Sequence, residues 1–129
     1  VRESFGNVLV EAGFWGKSII ACKVDGIPEV IVPEHTGVLL NPTLPVRRIG
    51  RPRKNDKVPF CVVDGDSGQL RKPLALAPQK LAEAILRLLT DEDLRKRLGE
   101  NARRYVLERF NIERYRRDIE DYYLYVLTQ

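Results

Sequence analysis

Apolar residues recur along this chain in two rhythms. In the C-terminal third they fall every three or four positions, as one face of an α-helix requires. Pro78 opens a predicted helix that carries Leu81, Ile85, Leu88 and Leu89 on one face. Thr90 and Asp93 then have the spacing of a capping box, after which Leu94, Leu98, Ala102, Tyr105 and Val106 continue at helical intervals. Asn111 can cap a last helix with Ile112, Tyr115, Ile119, Tyr122 and Val126 along one stripe and arginines and acids opposite. Toward the N-terminus the rhythm changes. Ser18-Ile-Ile-Ala-Cys22 is a short continuous apolar run of the kind found in buried parallel strands, and Thr36 to Leu40 reads as the next strand. A first helix is expected from about Phe5 to Ala12, with Ser4 as its N-cap and breaks at Gly13 and Gly16. Val24-Asp25-Gly26 turns the chain, and Pro28 suits the first turn of a short helix. The order predicts an α/β protein with a parallel sheet and a helical C-terminal third.

Residues 41–77 break both rhythms. Pro42, Pro45, Pro52, Pro59 and Pro73, with Gly50, Gly65 and Gly68, interrupt any long helix, so the segment reads as an insertion loop. Its one stretch with strand character, Val58-Pro-Phe-Cys-Val-Val63, is expected to pair at the sheet edge beside Thr36 to Leu40. Six basic residues, Arg47, Arg48, Arg51, Arg53, Lys54 and Lys57, crowd into residues 47–57. Gly50-Arg-Pro-Arg53 has the form of an AT-hook, but such hooks usually stand in disordered, repeated segments, whereas this one occurs once. A solvated loop, a contact with an acidic lipid or polymer surface, and DNA binding are the three readings of the cluster. Asp64-Gly-Asp-Ser-Gly68 resembles the start of a calcium loop, yet Ala75 stands where the bidentate glutamate belongs, so a hairpin turn is expected.

The chain's 129 residues are enough for one domain with a modest core, and a net charge of only +4 weighs against a dedicated nucleic-acid protein. No run approaches the roughly 20 apolar residues of a membrane span, and no signal-peptide pattern is present, which makes the cytoplasm the expected compartment. Cys22 and Cys61 lack ligand-like spacing and His35 stands alone, so two reduced, buried thiols are expected and no metal site.

Candidate chemistry gathers in the first eleven residues. Glu3 and Glu11 flank Ser4-Phe-Gly-Asn7 and an apolar run. A glycine at a helix start lets a ligand approach free amides, which suit a diphosphate. Side chains in a helix lean toward its N-terminus, so the Glu11 carboxylate can return to the crevice of Glu3. Two acceptor-only carboxylates beside donor amides fit a ligand that carries both vicinal hydroxyls and phosphate. On spacing alone, a solvated loop acid and a surface helix acid explain Glu3 and Glu11 equally well.

Further residues extend the pattern. Glu3-Ser-Phe-Gly-Asn-Val-Leu-Val-Glu11-Ala, Gly16-Lys-Ser-Ile-Ile-Ala21, Gly26-Ile-Pro-Glu-Val-Ile31 and Thr36-Gly-Val-Leu-Leu40 stand in a characteristic order, and the match resumes at Leu81-Ala-Glu-Ala-Ile-Leu86 and Leu98-Gly-Glu-Asn-Ala-Arg103. Together they resemble the C-terminal, donor-binding domain of retaining glycosyltransferases of the GT-B fold, the group that includes bacterial mannosyl- and glucosyltransferases, sucrose synthases and glycogen synthases. The resemblance implies a partial Rossmann-like sheet, the C-terminal half of that fold. It also implies a nucleoside diphosphate sugar as donor substrate, and metal-independent transfer to a glycan, lipid or small-molecule acceptor with retained configuration. By position, Glu3 is the candidate catalytic residue, meeting the donor sugar. Phe5, Gly6 and Asn7 would present backbone amides to sugar and phosphate, Glu11 would hold the ribose hydroxyls, and Gly26, with Ile27 and Pro28, would shape the crevice. None of these is an obvious general base.

Three departures from the family pattern stand out: Phe14-Trp15 where small residues are common, Cys22-Lys23 for a frequent Thr/Ser-Asp pair, and Asp25 for a usual glycine. Val1-Arg2 open directly on the ligand loop and the chain contains no methionine. The expectation is therefore a C-terminal part of a larger enzyme, inactive by itself, whose acceptor domain precedes it. In the family the final helix crosses to that domain, which makes its apolar stripe a candidate dimer or partner surface. Two other classes remain open. One is a non-catalytic assembly module of a split transferase, and the other is an anionic-surface or DNA binder that uses the basic segment.

Overall fold

A computed structural model describes residues 4–46 and 58–129. In chain order the elements are α1 (Asn7–Phe14), β1 (Ile20–Cys22), α2 (Ile27–Val30), β2 (Val38–Leu40), β3 (Leu44–Pro45), β4 (Val62–Val63), β5 (Leu70–Arg71), β6 (Leu74–Ala75), α3 (Pro78–Thr90), α4 (Glu92–Arg109) and α5 (Ile112–Leu127). The protein is mixed α/β, with a small parallel sheet and a helical C-terminal part.

Strands β1 and β2 pair in parallel, Ile20 opposite Val38 and Cys22 opposite Leu40, with α2 in the connection between them. Parallel neighbours need such a crossover. Alternate residues serve opposite faces of the pair. Val38, with Ile20 and Leu40 beside it, packs against Ala84 and Leu88 of α3 and Leu94 and Leu98 of α4. Ile19, Ala21 and Leu39 belong to a second cluster with Leu9 and Val10 of α1, Ile27 and Val30 of α2, and Ile31. Both faces of the sheet are thus covered, as a parallel sheet requires. Thr36, 1% exposed, is satisfied locally: its hydroxyl accepts from the Val32 amide at 2.8 Å.

The segment 41–77 is more structured than its prolines suggested. Leu44 and Pro45 of β3 pair with Ala75 and Leu74 of β6, and Val62 and Val63 of β4 pair with Arg71 and Leu70 of β5, both antiparallel. The expected pairing of Val58 to Val63 with β2 does not form, because β4 finds its partner across the hairpin that follows. That hairpin turns on Asp64, whose Oδ1 accepts from the amides of Asp66 and Ser67 at 3.1 and 3.0 Å, with Gly68 left-handed at φ 68°. The basic residues 47–57 and their AT-hook pattern lie outside the described residues.

Three local expectations are corrected. Helix α1 starts at Asn7 rather than Phe5 and runs through Gly13, because a side chain there would sit 2.8 Å from Val106 Cγ2 of α4 and its absence lets the helices touch. Thr90 ends α3, donating its hydroxyl to the Leu86 carbonyl, and Asp91 caps α4 instead by accepting from the Leu94 amide at 2.8 Å. On α3 the buried face is Ala84 and Leu88, while Leu81 and Ile85 are partly exposed and Leu89 largely so. Asn111 does cap α5, accepting from the Arg114 amide at 2.8 Å. No residue of α5 is buried, so its stripe of Ile112, Tyr115, Ile119, Tyr122 and Val126 faces solvent.

Candidate functional site

The start of α1 is built by backbone, not by a side-chain cap. Gly6 occupies the N-cap with φ 93° and ψ 50°, a left-handed conformation that costs other residues roughly 1–2 kcal/mol. Its carbonyl accepts from the Leu9 amide at 2.8 Å and the Val10 amide at 3.3 Å, which closes the first turn. Ser4, the expected cap, makes no such bond. Among the described residues no side chain caps this helix end.

Gly26 holds this helix start against the turn that follows β1. A Cβ at Gly26 would lie 2.0 Å from the Ser4 carbonyl oxygen and 3.1 Å from Phe5 Cα. Gly26 itself has an ordinary right-handed backbone, φ −80° and ψ −3°, so space rather than conformation demands glycine. The contact brings Phe5, Gly6 and Gly26 together at the carboxyl end of β1, where open α/β sheets place their ligands. Asn7 and Glu11 are exposed one turn apart on the same face of α1, leading away from this junction. Glu3 lies outside the described residues.

Two of the three sequence departures meet the hairpin of the insertion. Asp25 is left-handed at φ 50°, where a glycine would be unstrained; its amide donates to the Val63 carbonyl at 2.9 Å and its Oδ1 accepts from the Val63 amide at 2.8 Å. Lys23 forms an ion pair with Asp66, and Gly65 is packed so closely on Lys23 that a Cβ would sit 2.6 Å from its Cγ. Val24 and Asp64 form an antiparallel bridge between these contacts. The β1–α2 turn and the hairpin are thus one joined unit, and Asp25 is the residue through which the insertion reaches the crevice. Burial pushes the neighbouring Cys22 thiol up from its usual pKa; both cysteines are half-buried and free.

The third departure packs against α4. The Arg103 guanidinium lies 5.3 Å from the centre of the Phe14 ring and donates to the Phe14 carbonyl, while Trp15 is 71% exposed.

Sequence reasoning missed a neighbouring cleft of about 380 Å³, lined by Phe5, Pro28, Glu29, Tyr105, Arg109 and Arg114 among others. The Phe5 ring meets Phe110 edge-on at 5.5 Å, and Phe110 meets Tyr105 at 5.9 Å. This aromatic contact carries the helix start onto the junction of α4 and α5. The guanidinium groups of Arg109 and Arg114 line this cleft with Phe5 and add positive charge to it. The Arg114 Nε is buried without an acceptor among the described residues, although its terminal nitrogen reaches Asp118 at 3.1 Å. The only sequence signal was the pair of arginines bracketing the Asn111 cap. Among the described residues no three metal-ligating side chains come together, and no helix is long and apolar enough to cross a membrane.

The chain is similar to N-acetyl-alpha-D-glucosaminyl L-malate synthase of Bacillus anthracis, 32% identical over 126 residues, which cover 98% of this chain and 24% of that protein. It is also similar to an uncharacterized glycosyltransferase of Methanocaldococcus jannaschii, 29% identical over 103 residues, 80% of this chain and 20% of that protein. The chain thus spans about a fifth to a quarter of the length of these curated relatives. No protein-family model matches it. The resemblance read from the motifs is borne out: the chain is a homologue of glycosyltransferases, matching a limited part of them.

Proposed function

We propose that this homologue of glycosyltransferases supplies the nucleotide-sugar-binding part of a retaining enzyme of the GT-B fold, with β1 and β2 belonging to a Rossmann-like sheet. The observation that supports the reading is the fit of Gly26 on Ser4 and Phe5, which holds a glycine-capped helix start at the carboxyl end of a parallel strand. In this reading the amides of α1 near Gly6 bind the diphosphate, Asn7 faces the sugar, Glu11 accepts from the ribose hydroxyls and Glu3 meets the donor sugar. Gly26 shapes the floor. The bond from the anomeric carbon to the diphosphate breaks while the acceptor hydroxyl's oxygen bonds to the same face, its proton passing to the departing diphosphate. Fixed amide dipoles, with Arg109 and Arg114 of the cleft that Phe5 also lines, stabilise charge that gathers on the leaving diphosphate, a role that needs no metal ion. A second domain would hold the acceptor.

Calorimetric titration of the chain with UDP-, GDP- and ADP-sugars tests this, repeated with Glu11→Ala. One nucleotide should be preferred and lose affinity in the variant. A folded chain that binds none of the three, or a Glu11→Ala variant that binds as well as the parent, defeats the assignment. The unpartnered stripe of α5 favours a second reading, an assembly module, whose sign is a stable complex through α5 without donor affinity.

A further inference from the structure

The β4–β5 hairpin lies outside the interior of the domain: among the described residues, neither core cluster holds a side chain from residues 62–71. Val62 is nevertheless buried, and the ribbon is fastened to the turn after β1. The Asp25 amide donates to the Val63 carbonyl at 2.9 Å, and the Val63 amide donates to Asp25 Oδ1 at 2.8 Å. Val24 bridges Asp64, and Lys23 pairs with Asp66. Gly65 seals the contact, since a Cβ there would lie 2.8 Å from the Lys23 carbonyl oxygen.

The hairpin is internally braced. Asp64 Oδ2 accepts from Arg71 Nε at 2.7 Å, the Asp64 amide donates to the Gln69 carbonyl at 2.8 Å, and the Asp64 carbonyl accepts from the Gly68 amide at 2.9 Å. On the far side of the turn, Gly26 rests on the Ser4 carbonyl and Phe5 Cα. One planar peptide unit of fixed length separates Asp25 from Gly26, so only the torsions of these two residues could absorb a shift between hairpin and helix start. The paired bonds to Val63 hold Asp25 at φ 50°, where a glycine would be free to take many other conformations. A loop already fixed in its binding conformation loses less freedom when a ligand arrives, which raises affinity.

We propose that the β4–β5 hairpin is a latch that positions the donor crevice, with Asp25 as its positioning residue: the hairpin fixes the turn, the turn presses Gly26 on Ser4 and Phe5, and the start of α1 is set before the ligand arrives. What the crevice binds rests on the donor-site reading; that the hairpin sets the start of α1 does not.

Amide hydrogen exchange and donor titration of the chain test the latch in Asp25→Gly, Asp25→Asn and Gly65→Ala. Glycine at position 25 loses the acceptor of the Val63 amide and relieves the left-handed strain, two effects of similar size and opposite sign, so thermal stability should stay near the parent's. Exchange at Leu9 and Val10, whose amides close the first turn of α1 on the Gly6 carbonyl, should still quicken in Asp25→Gly and Gly65→Ala relative to Leu88 of α3. Asparagine keeps an oxygen acceptor and tolerates the left-handed turn, so Asp25→Asn should exchange as the parent does. Affinity for whichever of the UDP-, GDP- or ADP-sugars the parent binds should fall roughly two- to thirtyfold in Asp25→Gly and Gly65→Ala and stay near the parent's in Asp25→Asn. Unchanged exchange at Leu9 and Val10 in both Asp25→Gly and Gly65→Ala overturns the latch, whether or not a donor binds. Equal loss of affinity in Asp25→Asn and Asp25→Gly at native exchange shows the carboxylate meeting the ligand directly, and overturns the positioning role. A parent that binds none of the three sugars defeats the donor-site reading, and exchange alone then decides the latch.

Discussion

Replacing Gly26 by alanine adds one methyl group at the closest approach in the candidate site. The new carbon would lie 2.0 Å from the Ser4 carbonyl oxygen and 2.8 Å from its carbonyl carbon, far inside the roughly 3.5 Å at which carbon atoms rest against one another. Both neighbours are backbone, so neither can rotate away, and the segment from Ser4 to Gly6 must retreat by more than about 1 Å. The conformation itself is no obstacle, since φ −80° suits alanine. In an open site the change would stabilise by roughly 0.4–1 kcal/mol through the unfolded state. Overpacking here should instead cost about 1–3 kcal/mol, and the displacement should fall on the start of α1. If that helix start carries the donor, affinity should drop roughly five- to a hundredfold. Thermal denaturation and donor titration of Gly26→Ala would be read beside Leu88→Ala, a destabilising change in the other core cluster, which shows how much affinity is lost through the fold alone. Hydrogen exchange at the amides of Asn7 to Val10 reports the displacement without any ligand. A Gly26→Ala protein with unchanged stability and unchanged exchange at those amides would refute the argument that this contact fixes the site.

Other expectations concern the latch and the helices. Asp25→Gly removes the bond to the Val63 amide but restores an unstrained left-handed turn, whereas Asp25→Ala loses the same bond and keeps the strain; urea unfolding should find the alanine variant less stable than the glycine variant by about 1 kcal/mol, and equal stability would count against backbone strain at this position. The Ser67 amide, the Arg71 side chain and the Asp66 amide hold the Asp64 carboxyl well below the usual carboxylate range. A lowered pKa contributes stability above the ordinary value of about 3.9 that is lost as pH falls through the folded value. The amide signals of Gly68 and Gln69 should therefore keep their native shifts until the pH is well under that ordinary value, and earlier collapse would contradict the assignment. Asn111→Ala removes the cap of α5 together with the bonds from its Nδ2 to the Leu107 and Glu108 carbonyls, and should cost about 1 kcal/mol, visible as lost helicity by circular dichroism; unchanged helicity would show that the cap is dispensable.

The sequence made plain what local physics decides. The helical third, the Asn111 cap, the parallel strands β1 and β2 and the Asp64 turn are each set by residues within a few positions of one another. What escaped depends on distant partners. Gly13 reads as a helix breaker until Val106 is seen to need its empty Cβ position, and residues 41–77 read as a loop because Leu44 pairs with Ala75, thirty-one residues away. Gly6 replaces Ser4 as the cap because a left-handed glycine ends a helix without leaving a side-chain signature. Of the candidate site, the convergence of Phe5 and Gly6 with Gly26 agrees with the motif order, while Arg109 and Arg114 arrive from a helix junction that no local pattern ties to the N-terminal segment. Asp25 seemed an unexplained departure until the hairpin supplied its partner.

The closeness of α1 to α4 has a consequence in time. Gly13 lies under Val106, and a Cβ at Gly99 would stand 2.1 Å from the Gly16 carbonyl oxygen, so the two segments meet with nothing between them. As the chain leaves the ribosome, α1 emerges before the surface that seats it, which follows roughly ninety residues later. Through that interval the start of α1 can rest on Gly26, but its far end has no α4 to press against. The direction of the helix is settled only once α4 has been made.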